Sequence, residues 1–471
     1  MRPLSIGSNV LHRVKSTSYQ RPIQLSSTRM YSQRPPWLEA FYNDSSLPPK
    51  LFARKPSNLN RDSSLGPPSS ASTSGVSGDS EQRIYVLGIG NLGRLFASSL
   101  AQAPERPPIT LVVHRRELLT QWIEGQGIEL LRSGTLERNK DFDIEWWTES
   151  KPETGPVSEV AQGGKLKNLI ITTKASAALP QVDRVRGYLD RNSTVAFAQN
   201  GMSKLWPPHG SAYANHRFAV GDAPNFLACV TTHGVTSQGP FRSLHASQAD
   251  VTVGSVLPNE SSSEQSAYLI KQMLEAPHLN ARSVSRGELW ILQLEKLVVN
   301  AIINPLTAIL GCKNGALFTE SDGIIATIID QLLSEASHVL QLLVAHESSA
   351  QVIGQSSNQD ETATTQGDTR LDLSPSSLHE RFSQPHLKEM VYRVGHKVKD
   401  NTSSMLQDVR SGRSTEIRDF NGWLVETAAF LDGSLDVAGH RAMVDLVEGG
   451  QTLDVDRLGA RLNDSGAGAR K

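Results

Sequence analysis

Two cysteines in 471 residues, Cys229 and Cys312, are too few for a disulfide framework, and their spacing is not that of a cysteine-ligated metal site. That usage fits a reducing compartment. No sign of charge is in excess: 47 basic residues face 48 acidic ones, so nothing suggests a polyanion-binding protein or a nucleic-acid partner. No run of about 18 apolar residues occurs, and no membrane span is expected. The first 38 residues contain no acid at all, the first being Glu39. Length alone allows two or three domains with a substantial core.

The acid-free stretch carries Arg2, Arg13, Lys15, Arg21, Arg29 and Arg34 among many Ser and Thr, with no apolar segment of the secretory kind. That is the composition of a mitochondrial transit peptide over residues 1–38, with a cleavage-like Arg29-Met30-Tyr31 before Ser32. A mitochondrial matrix location is expected, with the cytoplasm as the alternative. Loss of those six basic residues would take the net charge from −1 to −7. Residues 39–81, rich in Ser, Pro and Gly, read as a disordered linker.

Folding is expected to begin at Arg83. The apolar strand Ile84-Tyr85-Val86-Leu87 runs into Gly88-Ile89-Gly90-Asn91-Leu92-Gly93 and then a helical pattern. A GxGxxG run alone is weak, but strand before and helix after are its required context. Gly88 permits the tight turn, Gly90 admits a pyrophosphate and Gly93 lets helix approach strand. A second strand, Ile109–Val113, ends in His114-Arg115-Arg116 where an NAD enzyme usually presents an acid to the ribose. Guanidiniums there suit a 2′-phosphate, so NADPH/NADP+ is the expected cofactor. Further strands are predicted at 169–173, 194–198, 216–220, 226–232 and 251–256. Lys174 and Asn200 follow two of them, at strand ends where ligands of such sheets bind. Residues 82–284 thus form a Rossmann-type dinucleotide-binding domain of α/β class.

From Ser285 the pattern turns helical. Trp290–Phe318 is apolar enough for a buried helix, yet holds Lys296, Asn300 and Asn304 at spacings of four. At about 100° per residue these fan over roughly 80° of one face. Buried amides and an ammonium need polar partners, either internal or from a ligand. Pro305 is expected to end or kink that helix. A helical domain over 285–450 is predicted, with a disordered insertion at 346–378 and a polar tail at 451–471. A second polar cluster, Asn401 to Glu416, lies in its later part, with Gly412 breaking the helix. A homodimer face would fit in the helical half, though nothing in the pattern demands one.

The segments LGIGNLGRLFASSLA, TLVVHRR, LIITTKA, AQNGM, TTHG, KLVVNAIINPLTAI and SSMLQDVRSGRSTEIRDFNG together resemble the ketopantoate reductase (2-dehydropantoate 2-reductase) family over roughly residues 83–445. The resemblance implies a Rossmann domain followed by an all-α domain like the C-terminal one of 6-phosphogluconate dehydrogenase. It implies reduction of ketopantoate to pantoate by NADPH, for pantothenate and coenzyme A, in the cleft between them. By motif it makes Lys296 the proton donor and Glu416 its catalytic companion. It makes Asn300, Asn304, Asn314, Asn401 and Ser404 substrate contacts. Gly88, Ile89, Gly90, Asn91, Leu92, Gly93, Arg115, Lys174 and Asn200 become cofactor contacts, and no metal is implied. Another 2-oxo acid as substrate is the near alternative. A non-catalytic NADP-binding scaffold is the distant one, which would need neither Lys296 nor Glu416.

Overall fold

The computed structural model describes residues 34–59, 78–259, 265–320, 322–354 and 371–468. The chain opens with helix α1 (Pro36–Asn43) and a short strand β1 (Phe52–Arg54), then α2 (Gly78–Gln82) leads to β2 (Ile84–Leu87). Next come α3 (Asn91–Leu100), β3 (Ile109–Val113), α4 (Arg116–Glu124), the hairpin β4 (Ile128–Arg132) and β5 (Thr135–Asn139), and β6 (Asp143–Thr148). The domain continues through β7 (Asn168–Ile171), α5 (Ala175–Val185), β8 (Thr194–Ala198), α6 (His209–Arg217) and β9 (Asn225–Thr231). A hairpin, β10 (Gly234–Gly239) and β11 (Arg242–Ser247), precedes β12 (Val251–Leu257), α7 (Gln265–Glu275) and β13 (Ala281–Ser283).

Among the described residues these strands build a nine-stranded sheet in the order β1-β6-β3-β2-β7-β8-β9-β12-β13 and a small sheet β10-β11-β4-β5. The six strands from β6 to β9 run parallel, which requires both faces to be covered. The burial follows the strand's period of two. Tyr85, Leu87, Ile171 and Phe197 enter a core shared with the helical domain, whereas Ile84, Val86, Ile170 and Ala196 pack beneath α3 and α7. β3 and β7 flank β2 on opposite sides, so the chain reverses its direction of winding there, and a crevice opens at the strand ends.

The helical half starts with α8 (Arg286–Leu310), followed by α9 (Ile324–Ala345), α10 (Ala350–Gly354), α11 (Pro375–Arg381), α12 (Gln384–Lys397) and α13 (Ser404–Arg410). A π turn, Arg418–Gly422, then leads into α14 (Trp423–Leu431), α15 (Ala438–Glu448) and α16 (Val455–Gly468). Ser285 caps α8 by accepting the Glu288 N–H, and Gly311 ends it at φ 65°. By length and composition α8 could cross a membrane, but 72% of its most apolar window is buried inside the protein, as befits a core helix.

Several expectations are corrected. Residues 39–59 are folded, not linker: β1 pairs antiparallel with β6, and Leu38, Leu51 and Ala53 are buried. The leader, drawn to residue 38, therefore overlaps α1, and residues 1–33 with the Ser32 site lie outside the described residues. Part of what fastens this extension is polar. The buried Arg217 guanidinium reaches Asp183 (Nε–Oδ1 2.5 Å), the Asp44 carbonyl (2.6 Å) and the Asp44 carboxylate (3.2 Å). Apolar side chains anchor it as well: Leu38, Leu51 and Ala53 enter the core, with Trp37, Phe41 and Tyr42 packed against it. In the 346–378 insertion, residues 346–354 and 371–378 are ordered and bury Ser349, Val352 and Leu378; residues 355–370 lie outside the described ones. The tail forms α16, which docks through Leu458 and Leu462. Residues 209–217 are helix where a strand was predicted from 216. Pro305 lies inside α8 without ending it.

Desolvation holds three histidines well below the usual imidazole value, His245 and His440 buried and His209 half-buried. Burial pushes His440 down to about 4, and likewise His209; His245 falls to about 4 through burial, with the charges of His233 and Arg132 adding to it. Arg132 Nε donates to His245 Nδ1 (3.0 Å) and His233 Nδ1 lies 2.9 Å from His245 Nε2, a chain that ties the small sheet to the large one. A histidine whose folded pKa is depressed contributes its stability above the unfolded value near 6.5 and loses it as pH falls toward 4. For the fully buried His440 the loss amounts to roughly 3 kcal/mol. Urea midpoints are therefore expected to hold from pH 8 to 7 and to drop steeply from pH 6.5 to 4.5. A flat profile would contradict neutral burial.

Candidate active site

The glycine loop between β2 and α3 is shaped by close approach. Gly88 has φ +97°, and a Cβ on Gly93 would lie 2.2 Å from the Gly88 carbonyl oxygen. At Gly90 a Cβ would meet nothing within 4 Å, because the loop there faces open space. That space is a pocket of about 380 Å³ lined by Gly88, Ile89, Gly90, His114, Arg115 and Thr173, with Gly239 and Pro240 of the β10–β11 turn also in its wall. Arg94 holds that turn in place, donating to the Gly239 carbonyl (3.0 Å) and the Ser243 hydroxyl (2.9 Å). Asn91 fixes the same hairpin by accepting from Ser243 (3.0 Å). Leu92 is half-buried in the first turn of α3. Arg115 is exposed, at the N-cap of α4, and it borders the pocket while Arg116 does not. The cradle fits a dinucleotide: a glycine loop at a helix N-terminus for the pyrophosphate and, at the end of β3, the Arg115 guanidinium, which has no ion-pair partner among the described residues.

Beside this crevice the two domains meet in a polar seam. Lys296, on α8, donates from Nζ to Asn200 Oδ1 (3.0 Å) and to the Thr231 carbonyl at the end of β9 (2.5 Å). Asn200, after β8, turns its Nδ2 toward Glu416 Oε2 (3.5 Å). One asparagine thus stands between the cation and the acid. Burial lowers Lys296 to about 8, against the pull of Glu416. Burial raises Glu416, and Asp419 adds to the rise while Lys174 opposes it. Lys174, at the N-cap of α5, crosses to the helical domain, where it meets Asp408 Oδ2 (2.6 Å) and the Ser414 carbonyl.

Asn300 and Asn304 follow Lys296 along α8. Their side chains make no hydrogen bond among the described residues, so both amides remain free for a ligand. The structure treats the other expected substrate contacts differently. Asn314 donates to the Val398 carbonyl (3.2 Å), its backbone N–H bonds the Asn401 carbonyl (3.1 Å), and it thereby pins the turn after α12. Asn401 and Ser404 are exposed on that same stretch. It is Ser403 that caps α13, and its Oγ lies 2.7 Å from Thr307 Oγ1 of α8.

Sequence reasoning missed the groups that hold this seam. Thr231 contributes only its carbonyl, which no residue type signals. Gln293, three residues before Lys296, accepts from Trp206 Nε1 (2.5 Å) and donates to the Gly201 carbonyl (3.3 Å), locking α8 to the loop after β8. A glutamine on the Lys296 side of an apolar helix was a readable sign. Burial raises the Asp419 carboxyl above its usual range, with Lys204 opposing the rise.

A dinucleotide-type α/β domain closed over an all-α domain, with a buried lysine between them, is the architecture of a two-domain oxidoreductase. The sequence matches Ketopantoate reductase PanE/ApbA over residues 84–258 and its C-terminal counterpart over 289–449. The chain belongs to the ketopantoate reductase family. It is 48% identical over 451 residues to ketoisovalerate reductase BEA2 of Gibberella fujikuroi, covering 91% of this chain and 99% of that one. Ketoisovalerate reductase of Beauveria bassiana is 41% identical, with the same two coverages of 91% and 99%. The crystal structure of a probable 2-dehydropantoate 2-reductase from Bacillus subtilis shares the fold at TM-score 0.53 and 21% identity, over 78% of this chain and 100% of that one.

Proposed function

We propose that this oxidoreductase reduces a short branched 2-oxo acid at the expense of NADPH, with 2-ketoisovalerate as its principal substrate. The observation that carries the substrate choice is the 48% and 41% identity, almost end to end, to two proteins named for ketoisovalerate. Ketopantoate, the substrate expected from the family resemblance, differs by one added hydroxymethyl group and is the second reading.

NADPH, held by the Gly88–Gly93 loop and by Arg115, would supply the hydride. The chain's own residues do the rest. Lys296 carries a proton on Nζ and delivers it to the ketone oxygen as negative charge develops there. Asn200 holds the ammonium on one side and Glu416 on the other, so the donor has one orientation. Asn300 and Asn304 offer amide donors to the carboxylate, the part common to both substrates. Closure of the seam excludes water from the ketone.

Side-by-side turnover of the two acids, followed as NADPH oxidation, tests this. A site with an apolar lining for the tail would favour ketoisovalerate by no more than roughly 10²-fold, whereas a site built to bond the hydroxyl would reject the acid lacking it by roughly 10⁴-fold. Ketoisovalerate is expected to win by the smaller margin; a 10⁴-fold preference for ketopantoate would return the enzyme to pantoate synthesis. Arg115→Ala is expected to raise the KM for NADPH about 10- to 100-fold, from loss of a charge-assisted bond of ~1.5–3 kcal/mol, and to leave NADH kinetics unchanged. An equal loss with NADH would remove the 2′-phosphate role. For location, the basic leader favours the mitochondrial matrix, and a fluorescent fusion to residues 1–33 that stayed in the cytoplasm would reject that.

A further inference from the structure

Pro305 has no N–H, so the carbonyl of Ala301 on α8 loses its helical donor, and the pyrrolidine ring crowds it as well. Ala301 is fully buried, where an unpaired carbonyl is strongly disfavoured. The missing donor comes from another element: Asn421 Nδ2 donates to the Ala301 carbonyl at 2.9 Å. Asn421 is itself fully buried in the π turn Arg418–Gly422.

The orientation of this amide is determined by its partners. The Ala301 carbonyl can only accept, so Nδ2 must face it. The second Nδ2 hydrogen points to His440 Nδ1 (3.0 Å), and His440 Nε2 in turn donates to the Leu332 carbonyl (3.0 Å). The backbone N–H groups of Gly439 and His440 are received by the Glu335 carboxylate at 2.9 and 3.0 Å. Every member of the chain is buried.

We propose that Asn421 is a positioning residue: it replaces the backbone donor removed by Pro305 and thereby sets the substrate face of α8 against the segment that carries Glu416. Asn300 directly precedes Ala301 and Asn304 directly precedes Pro305 on α8, and Glu416 lies two residues before the π turn. An ordinary residue at 305 would satisfy Ala301 within α8 and couple nothing. The proline exports that bond, and α8 and the π turn become one unit.

This inference rests on the reductase reading, and the test separates them. Wild-type turnover with ketoisovalerate and NADPH is measured first; its absence rejects the reductase reading alone. Asn421→Ala is then expected to raise the KM for the 2-oxo acid at least tenfold and to lower kcat, with the NADPH dissociation constant unchanged. The deciding variant is Pro305→Ala combined with Asn421→Ala, which regenerates a backbone N–H for Ala301. It should bring KM back to within a few-fold of wild type. Amide hydrogen exchange across residues 298–306 reads the same effect without turnover: faster in the single variant, restored in the double. Unaltered kinetics in Asn421→Ala would overturn the proposal. So would a double variant as impaired as the single one, or one that fails to fold, since loss of packing is not repaired by an N–H at residue 305.

Discussion

Lys296→Ala is expected to lower kcat by about 10²- to 10⁴-fold, the usual contribution of a positioned proton donor, while NADPH binds as before. The folded state should survive the change. Removing the ammonium leaves Asn200 Oδ1 and the Thr231 carbonyl without a donor, yet it also relieves the burial of a charge. The pH dependence carries the sharper signature. Burial holds Lys296 near 8, so the group is mostly protonated at neutral pH and ready to give its proton up. Reduction requires the ammonium, and kcat should therefore be level below about pH 7 and fall as pH rises through about 8. Glu416→Gln removes the attraction that opposes this depression, and the falling limb should move to lower pH. Stopped-flow measurement of kcat between pH 6 and 10 reads both. A limb unmoved by Glu416→Gln would break the assigned coupling, and full turnover in Lys296→Ala would end its role as donor.

Gly93→Ala should weaken cofactor binding and destabilise the fold together. The added Cβ would sit 2.2 Å from the Gly88 carbonyl and 2.7 Å from Thr172 Oγ1, and the first of these is backbone that cannot swing aside. Overpacking of this kind costs ~1–3 kcal/mol, and because the displaced backbone is the phosphate loop, NADPH affinity should fall by roughly 5- to 150-fold. Gly90→Ala is the discriminating partner. Nothing lies within 4 Å of its Cβ, so thermal stability should be untouched while the phosphates lose their close approach. Fluorescence titration with NADPH beside a melting curve separates the two. Equal melting temperatures for both variants would mean that the loop adapts.

What was legible in the sequence was local. The strand, the glycines and the helix of the cofactor loop follow one another without a gap, and the spacing of Lys296, Asn300 and Asn304 marks one helix face. What joins them is not local: Asn200 reaches Lys296 across 96 residues and Glu416 across 216. The strand-end position singled out Asn200 and the family resemblance Glu416, but neither joined Asn200 to Lys296. Asn314 shows a tertiary role that its motif did not signal: Nδ2 donates to the Val398 carbonyl, while its buried Oδ1 has no partner among the described residues. Pro305 shows where a local rule yields to a tertiary one, the lost helical bond being supplied by Asn421. The N-terminal extension was illegible because its apolar anchors are spread over one short helix and a three-residue strand, too few in each to leave a periodic trace, and because Arg217 holds it from afar. In α16 the pair Leu458 and Leu462 had the helical spacing, and the surrounding glycines and charges masked it.

The fastening of that extension has a consequence for the order of assembly. Phe52 pairs with Thr148, and Asp44 is gripped by Arg217. A ribosome makes residues 36–54 early, but their partners emerge some 90 to 170 residues later. That stretch therefore finds its partners only after this much more chain has been made. A shortened chain beginning at residue 82 would lack these contacts, and the surface that Leu38, Leu51 and Ala53 cover would stay open to water.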